Sequence, residues 1–403
     1  MGQRNAIIPG TDPEIEIYGE LPPIAEKVEA EGIHAHDLRE DREKFGDLAN
    51  PLIDSMESRF NAPWWRFNSI ACSVSDAIVR NRLIFHAGLP VVGISNLRWE
   101  LTAAELAQRG ELEIPQPEKS FPGRTGLLIG RSPFNYYHFI NDILIFMEDL
   151  HAQVDALGLD RILINPCTAA SDGFQRQLIE AIYPDLSDKV QFDNTVFHAE
   201  RLTFVNVWPN YFQHANDGEA IKRCGPTGIS RRAYRTSAAP FFDRAANALS
   251  AYALSGPEVL IISRKEAGRR QVLNEGALLD ALSPYGAEAV AMENHTVAEQ
   301  MALCAGAKVV IGPHGAGMAN AGFCAPGTIC IELTGRHYLQ RGTDFASLAM
   351  IRGLEYQFAV ADEEGDIVHM KGNHGNDIRL GQPVIDHIVL EVDRALGRAR
   401  AVG

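Results

Sequence analysis

From Val259 onward the chain repeats one alternation, a short aliphatic run followed by a break and a helix-type stretch. "VLIIS" (Val259 to Ser263), "EAVAM" (Glu288 to Met292), "KVVIG" (Lys308 to Gly312) and "TICIEL" (Thr328 to Leu333) are strand-like, with a helical segment in each gap. Strands alternating with helices imply a parallel sheet, because each crossover returns the chain to the same edge and packs on a face. Four such strands with short crossovers predict a compact Rossmann-like unit. Thr296 with Glu299 predicts a capping box, Pro326-Gly327 a helix stop, and "PVIDHIVLEVDRALGRARA" a final helix.

The first half reads differently. Up to about Pro63 the chain is charged, Pro-containing and weakly periodic, which predicts loops and short helices. "NSIACSVSDAIVRNRLIFHAGLPVVGIS" predicts a β-meander and carries no functional signal. From Thr125 on, "TGLLIG" reads as a strand, "NYYHFINDILIFMEDLHAQ" as one helix, "RILIN" as a strand, "GFQRQLIEAIY" as a helix and "LTFVNV" as a strand. "SRRAYRTSAAPFFDRAANALSAYALSGPE" reads as mostly helical and ends in the break at Ser255 to Pro257. A chain of 403 residues exceeds what one core usually serves, so two domains are expected, 1–255 and 256–403.

Composition removes several classes of partner. A formal charge of −15 argues against nucleic acid, whose backbone is held by clustered Lys and Arg. The six cysteines contain no C-x-x-C, which suits reduced thiols better than a disulfide frame or a zinc site. No apolar run approaches membrane-span length and "MGQRNAIIPGTDPEIE" has no leader pattern, so a cytoplasmic protein is expected, with room for peripheral membrane association.

Ligands of open α/β sheets bind beyond the carboxyl ends of strands, and three candidate groups fall there. In "GPHGAG", His314, Gly315, Ala316 and Gly317 sit between strand and helix, where bare backbone and helix-start N–H groups favour an anion. Asn320 stands where a dinucleotide fingerprint needs Gly or Ala, and the Gly-Lys-Ser/Thr of a P-loop is absent. A plain tight turn with a capping His314 is the other reading. "ISRKEAGRRQVLNE" places Arg264, Lys265, Arg269 and Arg270 after the first strand; guanidinium forks match phosphate oxygens, although a solvated charge run has the same look. Glu332 could accept from ribose hydroxyls or cap the following helix. Upstream, "FNYYHFINDILIFMEDL" puts His138 and Asp142 four apart on one helix face, either as a proton acceptor facing a cleft or as a pair that only stabilises the helix.

These blocks in order, "YYHFINDIL", "SRKEAGRRQVLNE" and "VVIGPHGAGMANAGFCAPGTICIEL", resemble glycosyltransferase family 61 over roughly Gly126 to Gly335. Bacterial members of that family are often described as capsular polysaccharide biosynthesis proteins. The resemblance implies a GT-B architecture of two Rossmann-like domains facing a cleft, a nucleotide sugar in the C-terminal one, and inverting transfer to a carbohydrate acceptor. An inverting displacement needs a base, and of the ionisable groups in the first half His138 and Asp142 alone combine family-like placement with a shared helix face, so His138 is expected as general base with Asp142 as its partner. No two aspartates lie two apart, so the metal-binding D-x-D of GT-A enzymes is absent and no metal or other cofactor is expected. Charge on a leaving UDP would be met by backbone N–H groups, Arg264, Arg269 and His314. Where relatives often continue the first block with Pro and Arg, this chain has "ILIFMEDL", so the acceptor is not read from it. A nicotinamide-dependent reductase and a non-catalytic nucleotide- or glycan-binding module are the alternative readings.

Overall fold

Aliphatic runs this short can be buried along their whole length only inside a sheet covered on both faces. Val259–Ser263, Val309–Pro313 and Ile329–Thr334 are buried at every position. The computed structural model describes residues 6–7, 9, 13–18, 25–28, 33–35, 64–67, 69–93, 97–130, 132–151, 153–170, 173–206, 233–235, 237–249, 256–335, 344–364 and 375–397. The chain divides into two units, one of Met1–Lys27 with Trp65–Phe241 and one of Val28–Trp64 with Phe242–Gly403.

In the second unit five parallel strands lie in the order Glu288–Ala291, Val259–Ser263, Val309–Pro313, Ile329–Thr334, Glu355–Val360. The short strand Ile33–Ala35 adds to the last edge, also parallel. Chain order therefore runs outward in both directions from the pair Val259–Ser263 and Val309–Pro313. That pair is the switch point of the sheet, where the carboxyl ends of neighbouring strands splay and leave a crevice. Val259, Ile261, Val309, Ile311 and Ile331 pack with Leu278 and Leu282 of the helix Glu275–Leu282 and with Val384 and Ile388 of Gln382–Ala395. Pleating sends Ile262 to the other face. There it meets the 3-10 helix Ala316–Phe323, which packs with Val297–Gly306 and Asp344–Arg352.

All four expected strands and the final helix are present, and Thr296 and Glu299 form both halves of the capping box. Two features differ. The fifth strand Glu355–Val360 was not read, because its Glu355 and Gln357 interrupt the apolar run. The stretch after "GPHG" winds as a 3-10 helix, pressed close to its neighbours by small residues: a Cβ on Gly317 would stand 3.2 Å from Ile262 Cγ2, and one on Gly322 would strike the Phe242 ring.

The first unit holds a mixed sheet in the order Val190–Phe192, Arg161–Ile164, Lys119–Leu128, Phe197–Asn206, Ile70–Arg80, Leu83–His86, Leu89–Val91. The first four strands are parallel and the last three form the expected antiparallel meander. Half of this sheet is thus antiparallel: the expected meander and the expected parallel strands share one mixed sheet, in place of a wholly parallel Rossmann-like one. Glu16–Tyr18 pairs with Ile70–Arg80, so a strand stands where loops and short helices were expected. Ala233–Arg235 is likewise a strand ahead of the helix Ala238–Leu249. The single helix expected over "NYYHFINDILIFMEDLHAQ" is three: Tyr136–Asp142, a 3-10 turn Leu144–Phe146, and Met147–His151. Ile143 breaks it, with φ −133° and ψ −63°.

Cys72, Cys167, Cys304, Cys324 and Cys330 are free, buried thiols, and burial pushes Cys167 up to about 11. Cys224 lies outside the described residues. Among the described residues no helix is long and apolar enough to cross a membrane.

Candidate functional site

The two strands at the switch point end in Ser263-Arg264 and Pro313-His314-Gly315. Gly315 is extended, with φ 172°, a conformation open to any residue; what requires glycine is proximity. A Cβ there would stand 2.5 Å from Arg264 Nη1 and 3.3 Å from Cζ, so the guanidinium lies across the bare face of the glycine. Arg264 is half-buried, and the Arg269 carbonyl accepts from its Nε at 3.4 Å and its Nη2 at 3.3 Å. Gln271 Nε2 ties the same loop by donating to the Lys265 carbonyl at 2.9 Å and the Ala267 carbonyl at 2.6 Å. The structure thus joins two blocks separate in sequence, the arginine loop and the glycine loop. The side chains of Lys265 and Arg269 are exposed.

Beside Gly315, His314 is anchored from behind. Its backbone N–H donates to the Leu333 carbonyl at 2.9 Å, and its Nδ1 lies 2.5 Å from Glu332 Oε1. The Tyr356 hydroxyl donates to the other carboxylate oxygen, Oε2. Glu332 and Tyr356 have no exposed surface and His314 has 7%. Phe345 stands edge-on to the imidazole, 5.2 Å between centroids. An ionised carboxylate only accepts, so the contact with Glu332 places a proton on His314 Nδ1 and fixes the orientation of the ring. A ribose contact would need an accessible carboxylate, whereas both oxygens of Glu332 face protein donors. Ala316 and Gly317 are half-buried in the first turn of the 3-10 helix. Asn320 is fully buried, donating from Nδ2 to Gln300 Oε1 at 3.0 Å.

His138 and Asp142 belong to the first unit. Asn135 caps their helix, its side chain accepting from the His138 N–H at 3.2 Å. The expected pair forms: His138 Nδ1 lies 2.8 Å from Asp142 Oδ2, with side chains 24% and 28% exposed. Gly130 lies close against the end of this helix. A Cβ there would collide with Ile143 Cγ1 and stand 2.5 Å from the Asp142 carbonyl oxygen, so the strand end and the helix end meet at bare backbone.

Sequence reasoning missed Tyr356, which sits on the unread fifth strand. It also missed Phe134, placed just before the cap Asn135 and 63% exposed. An aromatic residue ahead of a capping Asn was the available signal.

Residues 136–331 match the family model of Glycosyltransferase 61, and the chain carries a glycosyltransferase family 61 domain over that span. The span begins with the helix of His138 and Asp142, includes Arg264, Arg269 and His314 to Gly317, and stops one residue short of Glu332. No curated protein matches the chain.

Proposed function

We propose that this glycosyltransferase family 61 domain moves a sugar from a nucleotide sugar, UDP-linked, to a carbohydrate acceptor with inversion, in the synthesis of a surface or capsular polysaccharide. The observation that carries the donor half of this reading is the Arg264 guanidinium laid across Gly315 at the switch point of a parallel sheet, the position where such sheets bind ligands. A diphosphate seated there would meet the Arg264 fork, the N–H groups around Ala316 and Gly317, and the Nε2–H of His314 in its imidazolium form. Arg269 is the second cation, on the exposed rim of the loop. Glu332 acts through His314, holding its aim and balancing the charge of the imidazolium.

In this reading the second unit binds the donor and the first supplies the residues that meet the acceptor. In the transfer the acceptor oxygen attacks the anomeric carbon, the bond to the diphosphate oxygen breaks, and a base takes the acceptor proton. His138 is that base, with Nδ1 engaged by Asp142 and Nε2 receiving the proton. The basic groups offset charge on the departing diphosphate without a metal.

Calorimetric titration with UDP tests the donor site. Arg264→Ala should weaken binding by about tenfold or more, close to 1.4 kcal/mol. Gly315→Ala should do the same by driving the guanidinium aside, with the thermal midpoint unchanged. Wild-type UDP affinity in both variants, or a protein that binds NAD and not UDP, would remove the reading.

A further inference from the structure

Phe134 is the most exposed large apolar side chain among the described residues, and local folding does not explain it. A residue placed just ahead of a helix cap ordinarily folds onto the fourth helical position. Here that position is Phe139, which is fully buried with its ring edge-on to Phe174 at 5.8 Å, while Phe134 stays 63% exposed. Nor is the loop slack. The Asn135 N–H donates to the Ser132 carbonyl at 2.9 Å, Ser132 holds φ 49°, and the buried Gln175 donates to the Pro133 carbonyl at 3.2 Å. A ring is held out to solvent on a fixed turn, three and four positions ahead of Tyr137 and His138, whose own rings meet edge-on at 5.4 Å.

We infer that Phe134 is the platform on which the acceptor sugar lies while its hydroxyl faces His138. This rests on the transferase reading above. A chair pyranose with equatorial hydroxyls carries axial C–H bonds on both faces, H1, H3 and H5 together on one of them in a β-linked residue, and those weakly positive hydrogens complement the negative face of an aromatic ring. Its hydroxyl edge remains for the imidazole and carboxylate of His138 and Asp142, which lie 2.8 Å apart. Polar dyad and aromatic face together recognise an amphipathic ring, where either alone would not. The acceptor is therefore a glycan of all-equatorial, β-linked pyranoses.

Cellohexaose, xylohexaose and chitohexaose, each titrated into the full chain saturated with UDP, provide the test. At least one should bind the wild type. Phe134→Ala should weaken that binding by about tenfold or more, Phe134→Leu as much because it keeps area without a π face, and Phe134→Trp should retain it. UDP affinity should be equal in all four proteins, which a merely structural role for the loop would not give. Failure of all three glycans to bind the wild type, or equal glycan affinity in the Ala and Leu variants and the wild type, overturns the inference while UDP binding leaves the donor reading standing. Glycan binding that depends on Phe134 in a protein that ignores UDP supports the platform and strikes the donor reading.

Discussion

Glu332 has no exposed surface, yet both of its oxygens are engaged, one by His314 and one by Tyr356. Tyr356→Phe would leave a buried carboxylate oxygen without that donor, a loss of about 1–3 kcal/mol. The expected reading is a lower urea midpoint at unchanged slope; a wild-type midpoint would show that the hydroxyl contributes nothing. His314, Gly315 and Glu332 were legible in the sequence because strand ends gather polar and bare residues. Their connections were not. Arg264 reaches Gly315 and Tyr356 reaches Glu332 only through sheet pairing, Val259–Ser263 beside Val309–Pro313 and Ile329–Thr334 beside Glu355–Val360, and no local pattern records which strands become neighbours.

The helical run that carries His138 shows how periodicity can conceal an element boundary. Phe139, Ile140, Ile143, Met147 and Leu150 are all buried, so the apolar stripe passes unbroken across the point where the backbone turns at Ile143. Gly130, outside the helix, lies close against that turn, and a one-dimensional stripe carries no sign of it. Gly130→Ala should push its methyl group against the Asp142 carbonyl and Ile143, destabilising by about 1–3 kcal/mol. The thermal midpoint should fall by about 2–4 °C per kcal/mol, and a midpoint equal to the wild type would mean that the strand and helix can part freely. Elements whose signals are local fared better. The Thr296 to Glu299 capping box starts its helix at the expected residue, because side chains three apart suffice to define it.

At the scale of the whole molecule, the meander and the parallel strands of the first unit were each readable, but their fusion was not: Phe197–Asn206 runs parallel to Lys119–Leu128 on one side and antiparallel to Ile70–Arg80 on the other. The proposed charge compensation by arginine and backbone, with no metal ion, leads to one prediction for the full chain. Sugar transfer should be unchanged by EDTA; loss on chelation, restored by manganese or magnesium, would contradict it. Among the described residues no three His, Cys, Asp or Glu side chains gather closely enough to hold a metal ion. Finally, Ile33–Ala35 sits at the edge of the parallel sheet beside Glu355–Val360, although the two come from distant parts of the chain. A ribosome delivers the small strand early and its neighbour hundreds of codons later. Ile33–Ala35 must therefore wait through most of translation, while the rest of the sheet assembles without it. Until they pair, the bare edge of Glu355–Val360 is open to strands of other nascent chains.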